Sequence, residues 1–321
     1  MKSADQYFYV NLTFNCNQRC IFCVSDETVS HRVGGCRTYM SVERFEQEIR
    51  KLSSDIDTIH ISGGEPTLHP DLERILQIAA GRFRHVQLAT NGICLADNEL
   101  LDHLLERTRI QFVIPLFTLD KDIHKSLTGA DALDCIVRGL QNVALKTMEG
   151  LCTLSLKLII LAQTIDEQSG MLDAVHRMDI DPSEYIVSGL CRTDGAIRSG
   201  CVVPFNIAKS RISALARKII ATDKPFCFHR IPLCAFEQDL WPYMMTLDRE
   251  DRLMEYATAY ALYPEGMVKT IPPKHIVNEV CTQCDLSEWC EYASNRNGDK
   301  FDYSSEFSPV ALEQTEYGCR T

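Results

Sequence analysis

Residues 61–70 read ISGGEPTLHP. They continue a short β-branched run, TIHIS (58–62), that has strand character. Two adjacent glycines at a strand end let backbone approach another group closely, and Glu65 sets a carboxylate at the same end. Pro70 suits the first turn of a helix, and Leu72, Ile75, Leu76 and Ala79 then recur on one face. Strand, glycine turn and helix in that order form the unit from which parallel sheets are built.

The same alternation extends on both sides. Strand-like runs occupy 7–14, 85–90, 110–117, 153–161 and 184–188, which with 58–62 makes six. Between them lie helical stripes. Val42, Phe45, Ile49 and Leu52 follow an N-capping Ser41. Leu100, Leu101, Leu104 and Leu105 form another, as do Leu133, Ile136, Val137, Leu140 and Val143, and a weaker one covers 167–178. The expectation is an α/β fold, an incomplete parallel barrel over 1–205 with its chemistry at the C-terminal ends of the strands. Residues 206–232 read as a connecting helix and linker, and 233–321 as a small cysteine-rich domain without strand–helix alternation.

One strand earlier stands NCNQRCIFC (15–23), three cysteines on a loop that leaves the first strand at the barrel mouth. Three thiols are too few to close a four-ligand zinc site or to complete the set around an iron–sulfur cube. Spacing alone leaves open an iron–sulfur cluster with a vacant iron, a zinc knuckle, or chance clustering. The chain has 321 residues, 15 cysteines and a formal net charge of −11. An odd cysteine count without a secretory signal points to a cytoplasmic protein with metal-binding thiols rather than a disulfide framework. No basic run tracks phosphates, so duplex nucleic acid is not an expected partner. The longest apolar stretch, 154–162, is too short to span a membrane.

Together the two motifs resemble the radical S-adenosylmethionine (SAM) superfamily. The resemblance rests on Cys16, Cys20, Phe22 and Cys23, then Gly63, Gly64, Glu65 and Pro66. It continues through ATNG (89–92), FTLD (117–120) and HKSLTG (124–129), over roughly residues 7–200. It implies a partial (β/α)6 barrel in which Cys16, Cys20 and Cys23 hold a [4Fe–4S] cluster whose open iron binds SAM. Reductive cleavage of SAM would then give a 5′-deoxyadenosyl radical that takes hydrogen from a substrate. Residue by residue, the resemblance implies Phe22 near the adenine, Gly63, Gly64 and Glu65 at the SAM amino group, Thr118 near the ribose, and Asn91 as a further contact. The bland reading of Thr118 is a satisfied strand-end hydroxyl.

Cys234, then Cys281, Cys284 and Cys290 in CTQCDLSEWC, supply four further ligands, enough for a cluster or structural zinc. They resemble a shortened SPASM or Twitch domain, which implies an auxiliary [4Fe–4S] cluster. The pattern departs at Ser294, where SPASM carries another cysteine, so one auxiliary cluster is expected rather than two. Cys227 or Cys319 is an alternative fourth ligand. Cys36, Cys191 and Cys201 sit where they could line the mouth, with plain loop thiols as the simpler reading. Cys94, Cys135 and Cys152 read as small apolar residues. His60 and His124 are assigned no catalytic role. Arg192 and Arg198 read as solvated, and Lys157, which interrupts the apolar fifth strand, is read as pointing into the barrel toward a substrate carboxylate.

Cys36 and Lys157 are thus the two candidates for direct contact with substrate. The first strand begins near residue 7, which leaves no preceding peptide-recognition domain and favours a small metabolite. Maturation of a ribosomally made peptide is the alternative, and a cysteine-rich scaffold or electron carrier is the non-enzyme one. A flavodoxin- or ferredoxin-type reductase is the partner that the chemistry implies.

Overall fold

The computed structural model describes residues 7–23, 39–191, 194–246, 260–263, 266–269, 281, 283–285 and 290. Cys36, Arg192 and Cys319 lie outside the described residues. Seven strands run in parallel: β1 (Tyr7–Asn11), β2 (Thr58–Ser62), β3 (His85–Ala89), β4 (Ile110–Pro115), β5 (Thr153–Ile160), β6 (Glu184–Gly189) and β7 (Phe226–His229). They are neighbours in chain order, so each connection is a crossover to the next strand along. The expected α/β partial barrel is the observed architecture.

Helices fill the crossovers: α1 (Val42–Ile49), α2 (Leu72–Arg82), α3 (Asn98–Leu105), α4 (Lys121–Thr128), α5 (Leu133–Met148), α6 (Gln168–Arg177), α7 (Asp194–Arg198) and α8 (Phe205–Ile220). Polar side chains start several of them. Ser41 accepts from the Arg44 N–H, Asp97 from Glu99 and Leu100, and Asp120 from Asp122 and Ile123. Pro70 stands before the Asp71 N-cap of α2 rather than inside its first turn.

The sheet extends beyond the six strands expected. Residues 206–232 are not a plain connector, because α8 and β7 repeat the strand–helix unit and add a seventh parallel strand. A short α9 (Trp241–Thr246) follows. The C-terminal region also contributes to the main sheet. Strand β8 (Tyr260–Tyr263) pairs in parallel with β1, and β9 (Gly266–Lys269) pairs antiparallel with β8.

Side-chain parity separates two faces. Phe8, Val10, Ile59, Ile61, Leu88, Phe112, Ile114, Leu154, Leu156, Leu158 and Val187 are buried in one core with Phe45, Ile75, Leu76, Leu140 and Ile212 from the helices. Each fully buried aliphatic or aromatic side chain there contributes about 1.5–3 kcal/mol. Tyr185 belongs to this face, and its hydroxyl meets His176 Nε2 of α6 at 2.7 Å; burial pushes its pKa up to about 12. The alternate residues, among them Tyr9, Asn11, His60, Gln87, Gln111, Ser155, Lys157 and Glu184, point to the concave face. No helix among the described residues is long and apolar enough to cross a membrane.

Two helical glycines have opposite requirements. A Cβ on Gly139 of α5 would lie 2.3 Å from the Gly92 carbonyl oxygen, whereas one on Gly81 of α2 would meet nothing within 4 Å. Gly139→Ala is expected to cost about 1–3 kcal/mol by overpacking. Gly81→Ala is expected to gain about 0.5–1 kcal/mol by restricting the unfolded chain. Urea denaturation of the two variants checks the opposed signs.

Candidate active site

The cysteine loop is clamped from three directions. From the strand below it, Gly64 N–H donates to the Thr13 carbonyl and Glu65 N–H to the Asn15 carbonyl, both at 2.7 Å. From the far end of α4, the carbonyls of Thr128 and Leu127 accept from Arg19 N–H at 2.7 Å and Ile21 N–H at 3.0 Å. From the turn after α7, Ser199 Oγ donates to the Ile21 carbonyl at 3.0 Å. The HKSLTG element thus has a local purpose, holding the loop that carries Cys20. Gly129 ends α4 at φ 66°, a left-handed conformation glycine adopts without strain.

Gly63 and Gly64 are required by this packing itself. A Cβ on Gly63 would lie 2.4 Å from the Thr13 carbonyl oxygen, and one on Gly64 would lie 2.4 Å from that of Asn15. Gly63 also holds φ at +148°. Both glycines therefore press against the backbone of the cysteine loop.

Glu65 is completely buried. Its Oε1 accepts from Thr67 N–H at 3.0 Å, Thr67 Oγ1 at 2.5 Å and Thr90 Oγ1 at 2.7 Å, and its Oε2 accepts from Asn91 N–H at 2.7 Å. Burial pushes its carboxyl above the ordinary carboxylate range, and these donors oppose that shift. One side chain thus ties the ends of β2 and β3 together beneath the loop. Asn91 continues the tie, donating to Asn17 Oδ1 at 2.7 Å and to the Cys16 sulfur.

Cys16, Cys20 and Cys23 are all partly buried. Burial pushes the Cys16 thiol up, and the nearby Glu65 and Cys23 charges add to that, against donors from Gln18 N–H and Asn91. Gln18 N–H reaches Cys16 Sγ at 3.4 Å, and Gln18 Oε1 lies 3.6 Å from Cys20 Sγ. Gln18 Nε2 is buried with no hydrogen-bond partner in the structure. Among the described residues no three Cys, His, Asp or Glu side chains converge as a shell for one metal ion. The donor chemistry therefore carries the fit. Three thiols on one clamped loop, with a backbone N–H on the Cys16 sulfur and the unpartnered Gln18 Nε2 in the same loop, suit a polynuclear cluster with sulfur acceptors.

Phe22 lies in a small apolar group with Phe117, Leu127, Leu161, Ala196 and Cys201 against which Cys20 packs. Its ring meets Phe117 edge-on at 5.2 Å. Thr118 is fully buried and accepts the Asp120 N–H at 2.9 Å, so its strand-end hydroxyl is engaged locally. His124 is buried at the back of α4, and burial lowers its pKa. Gln18, Asn17 and Ser199 escaped the sequence reading because no spacing rule marks a loop amide or a hydroxyl as a clamp.

The four later cysteines also pack inward. Cys234, Cys281, Cys284 and Cys290 all pack half-buried against the main core. Burial first, and then the neighbouring Cys234 and Cys284, push the Cys281 thiol up to about 11. Cys234 and Cys284 therefore lie near Cys281. Cys227 is on β7, where its sulfur meets His229 Nε2 at 3.3 Å.

On the concave face a hydrogen-bonded ladder crosses five strands. His60 Nδ1 meets Gln87 Oε1 at 3.0 Å, and Gln87 Nε2 donates to Gln111 Oε1 at 3.1 Å. Gln111 Nε2 donates to Ser155 Oγ at 2.9 Å and to Glu184 Oε2 at 3.0 Å, and Ser155 Oγ donates to Glu184 Oε2 at 2.7 Å. Tyr9 stacks on His60 at 5.4 Å.

Two substitutions test the clamp. Glu65→Ala leaves two hydroxyls and two N–H groups without their acceptor, and with about 1–3 kcal/mol for each unmet buried group it is expected to cost more than about 3 kcal/mol. Chemical denaturation measures that loss. Gly64→Ala is expected to speed iodoacetamide alkylation of Cys16 about tenfold by local opening while the far-ultraviolet circular dichroism is kept.

Residues 10–168 match the family model described as the radical SAM superfamily. A probable GTP 3′,8-cyclase from Methanococcus aeolicus is 26% identical over 178 residues, 53% of this chain and 56% of that protein. One from Pyrococcus abyssi is 33% identical over 136 residues, 41% of each chain. The chain spans about half the length of the curated relatives it matches. In fold it is similar to Streptococcus suis SuiB bound to S-adenosylmethionine, with a TM-score of 0.61 at 17% identity, covering 84% of this chain and 61% of that one. It is also similar to anSMEcpe with bound AdoMet, with a TM-score of 0.64 at 11% identity and 93% of both chains covered. The barrel, the clamped cysteine loop and the family match coincide on one stretch: residues 10–168 are a radical SAM superfamily domain.

Proposed function

We propose that this protein is a radical SAM enzyme acting on a small metabolite. The observation that carries the reading is the clamped loop, with Cys16, Cys20 and Cys23 held at the C-terminal mouth of the barrel by the Gly63–Gly64–Glu65 turn. These three thiolates would hold a [4Fe–4S] cluster and leave one iron for SAM. When bound, cluster and SAM together supply a 5′-deoxyadenosyl radical that abstracts hydrogen from substrate.

The chain's own residues set the conditions. The clamp fixes the thiols before any cofactor arrives, so little ordering is left for binding. Gln18 offers its backbone N–H to the Cys16 sulfur, and an N–H donor at sulfur raises a cluster's potential. Phe22, Phe117 and Leu161 keep that side of the mouth dry, which limits quenching by solvent. Phe22 would lie near the adenine, its ring already packed edge-on against Phe117. Gly63, Gly64 and Glu65 would present backbone near the SAM amino group, with Asn91 behind them. Thr118 would reach the ribose only while keeping its bond to Asp120.

In the same reading Cys234, Cys281, Cys284 and Cys290 hold an auxiliary [4Fe–4S] cluster in a SPASM/Twitch-like domain. The support is the proximity of Cys234 and Cys284 to Cys281, and the part given to Cys290 rests on the sequence pattern. A flavodoxin- or ferredoxin-type protein supplies electrons, and the cytoplasm is the compartment where these thiols stay reduced. The small-metabolite reading draws on the relatives, which are named for a reaction of GTP. A ribosomally made peptide is the second substrate class.

Anaerobic reconstitution tests this. Wild-type protein is expected to turn brown, to bind about eight irons per chain for two cubes, and to release 5′-deoxyadenosine from SAM under dithionite. Replacing Cys16, Cys20 and Cys23 with Ala is expected to abolish that release. Replacing Cys281, Cys284 and Cys290 with Ala is expected to lose about half the iron and keep uncoupled release. Release by the first triple variant would overturn the site assignment.

A further inference from the structure

Two thiols that neither cysteine set includes come together near Glu65. Cys94 opens a tight helical turn, Cys94–Ala96, a few residues past β3. Helix α5 lies across that turn. Asn142 Nδ2 donates to the Leu95 carbonyl at 2.9 Å and to the Ala96 carbonyl at 3.3 Å. One turn earlier, a Cβ on Gly139 would lie 2.3 Å from the Gly92 carbonyl oxygen and 3.4 Å from the Ala96 nitrogen. Cys135 stands four residues before Gly139 and seven before Asn142, so it shares the helix face that covers the turn. Burial pushes the Cys94 thiol up, and Glu65, Asp97 and Cys135 add to that, so the two sulfurs are neighbours.

The pair is open at one end and engaged at the other. Cys135 is the one exposed cysteine among the described residues, which is not the place of a small apolar filler, and Cys94 is partly buried. A reagent in solution therefore reaches Cys135 first. Cys94 hydrogen-bonds to the Thr67 side chain, and Thr67 Oγ1 donates to Glu65 Oε1 at 2.5 Å. A hydroxyl has one proton, and here the carboxylate takes it, so the Cys94 S–H is the donor to Thr67. The inner thiol thus sits one hydrogen bond away from the residue that holds the cysteine loop.

We propose that Cys94 and Cys135 are a thiol-modification site, a dithiol that a small disulfide such as oxidised glutathione converts into an intramolecular disulfide. The Cys135 thiolate attacks the small disulfide, whose S–S bond breaks, and one glutathione thiolate leaves. The Cys94 sulfur, its proton passing to water, then attacks the mixed disulfide at Cys135 and releases the second glutathione. Two cysteine thiols are oxidised and one glutathione disulfide is reduced to two thiols, so atoms and electrons balance. In a reducing compartment such a bond is transient and reports oxidation. Forming it takes the Cys94 proton away from Thr67, at the outer end of the hydrogen bonds that reach Cys16 through Glu65 and Asn91. The dithiol stands on its own geometry, and its effect on an iron–sulfur site rests on the radical SAM reading.

The test uses the full chain, anaerobically reconstituted with iron and sulfide and then treated with oxidised glutathione. Trypsin places Cys94 in peptide 85–107 and Cys135 in peptide 126–138, each as its only cysteine. Wild-type protein is expected to yield these peptides joined, two hydrogen atoms lighter than their sum, and dithiothreitol is expected to separate them. Cys135→Ser is expected to leave Cys94 a free thiol, and Cys94→Ser to stop at Cys135 carrying glutathione. Iron release to a chelator is expected to be about threefold faster from oxidised than from reduced wild type, and unchanged by the treatment in Cys135→Ser. Glutathione kept on Cys135 beside a free Cys94 in the wild type, or no reaction at either thiol, overturns the dithiol. Joined peptides with equal iron release overturn its link to the clamp. 5′-Deoxyadenosine release from untreated protein is read separately, so failure of the dithiol and failure of SAM chemistry are told apart.

Discussion

The approach of two strand ends at Gly63 and Gly64 governs this molecule. Because neither residue carries a Cβ, the turn after β2 lies directly on the Thr13–Asn15 backbone, and two hydrogen bonds at 2.7 Å join them. That contact sets where the cysteine loop leaves the barrel. Glu65 then carries the constraint to β3 through Thr90 and Asn91, and Asn91 returns it to the loop at Asn17 and Cys16. The circuit closes on itself, so the position of the thiols is determined by the sheet rather than by the loop's own preferences.

Burying a carboxylate in this circuit is expensive, and the cost shows in the upward push on its proton affinity. Four donors offset it. A neutral amide would leave the geometry similar but would set a donor against one of those N–H groups. The choice of an acid at position 65 thus has a packing explanation that holds with or without a ligand. The same economy applies to Thr118, whose hydroxyl is committed to the first turn of α4 before any cofactor is considered.

Much of this was legible in the sequence. Strands β1 to β6 announced themselves as β-branched runs, and the two motifs predicted the mouth of the barrel from adjacency to those runs. Strand β7 was not legible. FCFH is four residues long, follows a long helix, and carries a cysteine and a histidine on one face, so periodicity gives it no signal. Strand β8 pairs with β1 across some two hundred and fifty positions of sequence, and only long-range register reveals it. The polar ladder was equally hidden. His60, Gln87, Gln111 and Glu184 each look like an interruption in an apolar strand until parity places them on one surface. Lys157 was readable as an interruption too, and its face follows from the buried leucines on either side.

Strand β1 has partners on both sides, β2 and β8. The loop that bears Cys16, Cys20 and Cys23 therefore springs from an interior strand, and the second partner comes from the part of the chain that also carries Cys281 and Cys284. Removing that part would uncover a parallel edge beside the cysteine loop, with open N–H and C=O groups inviting intermolecular pairing. Strand β1, which leads into the cysteine loop, is thus where the start of the chain meets a segment far along it.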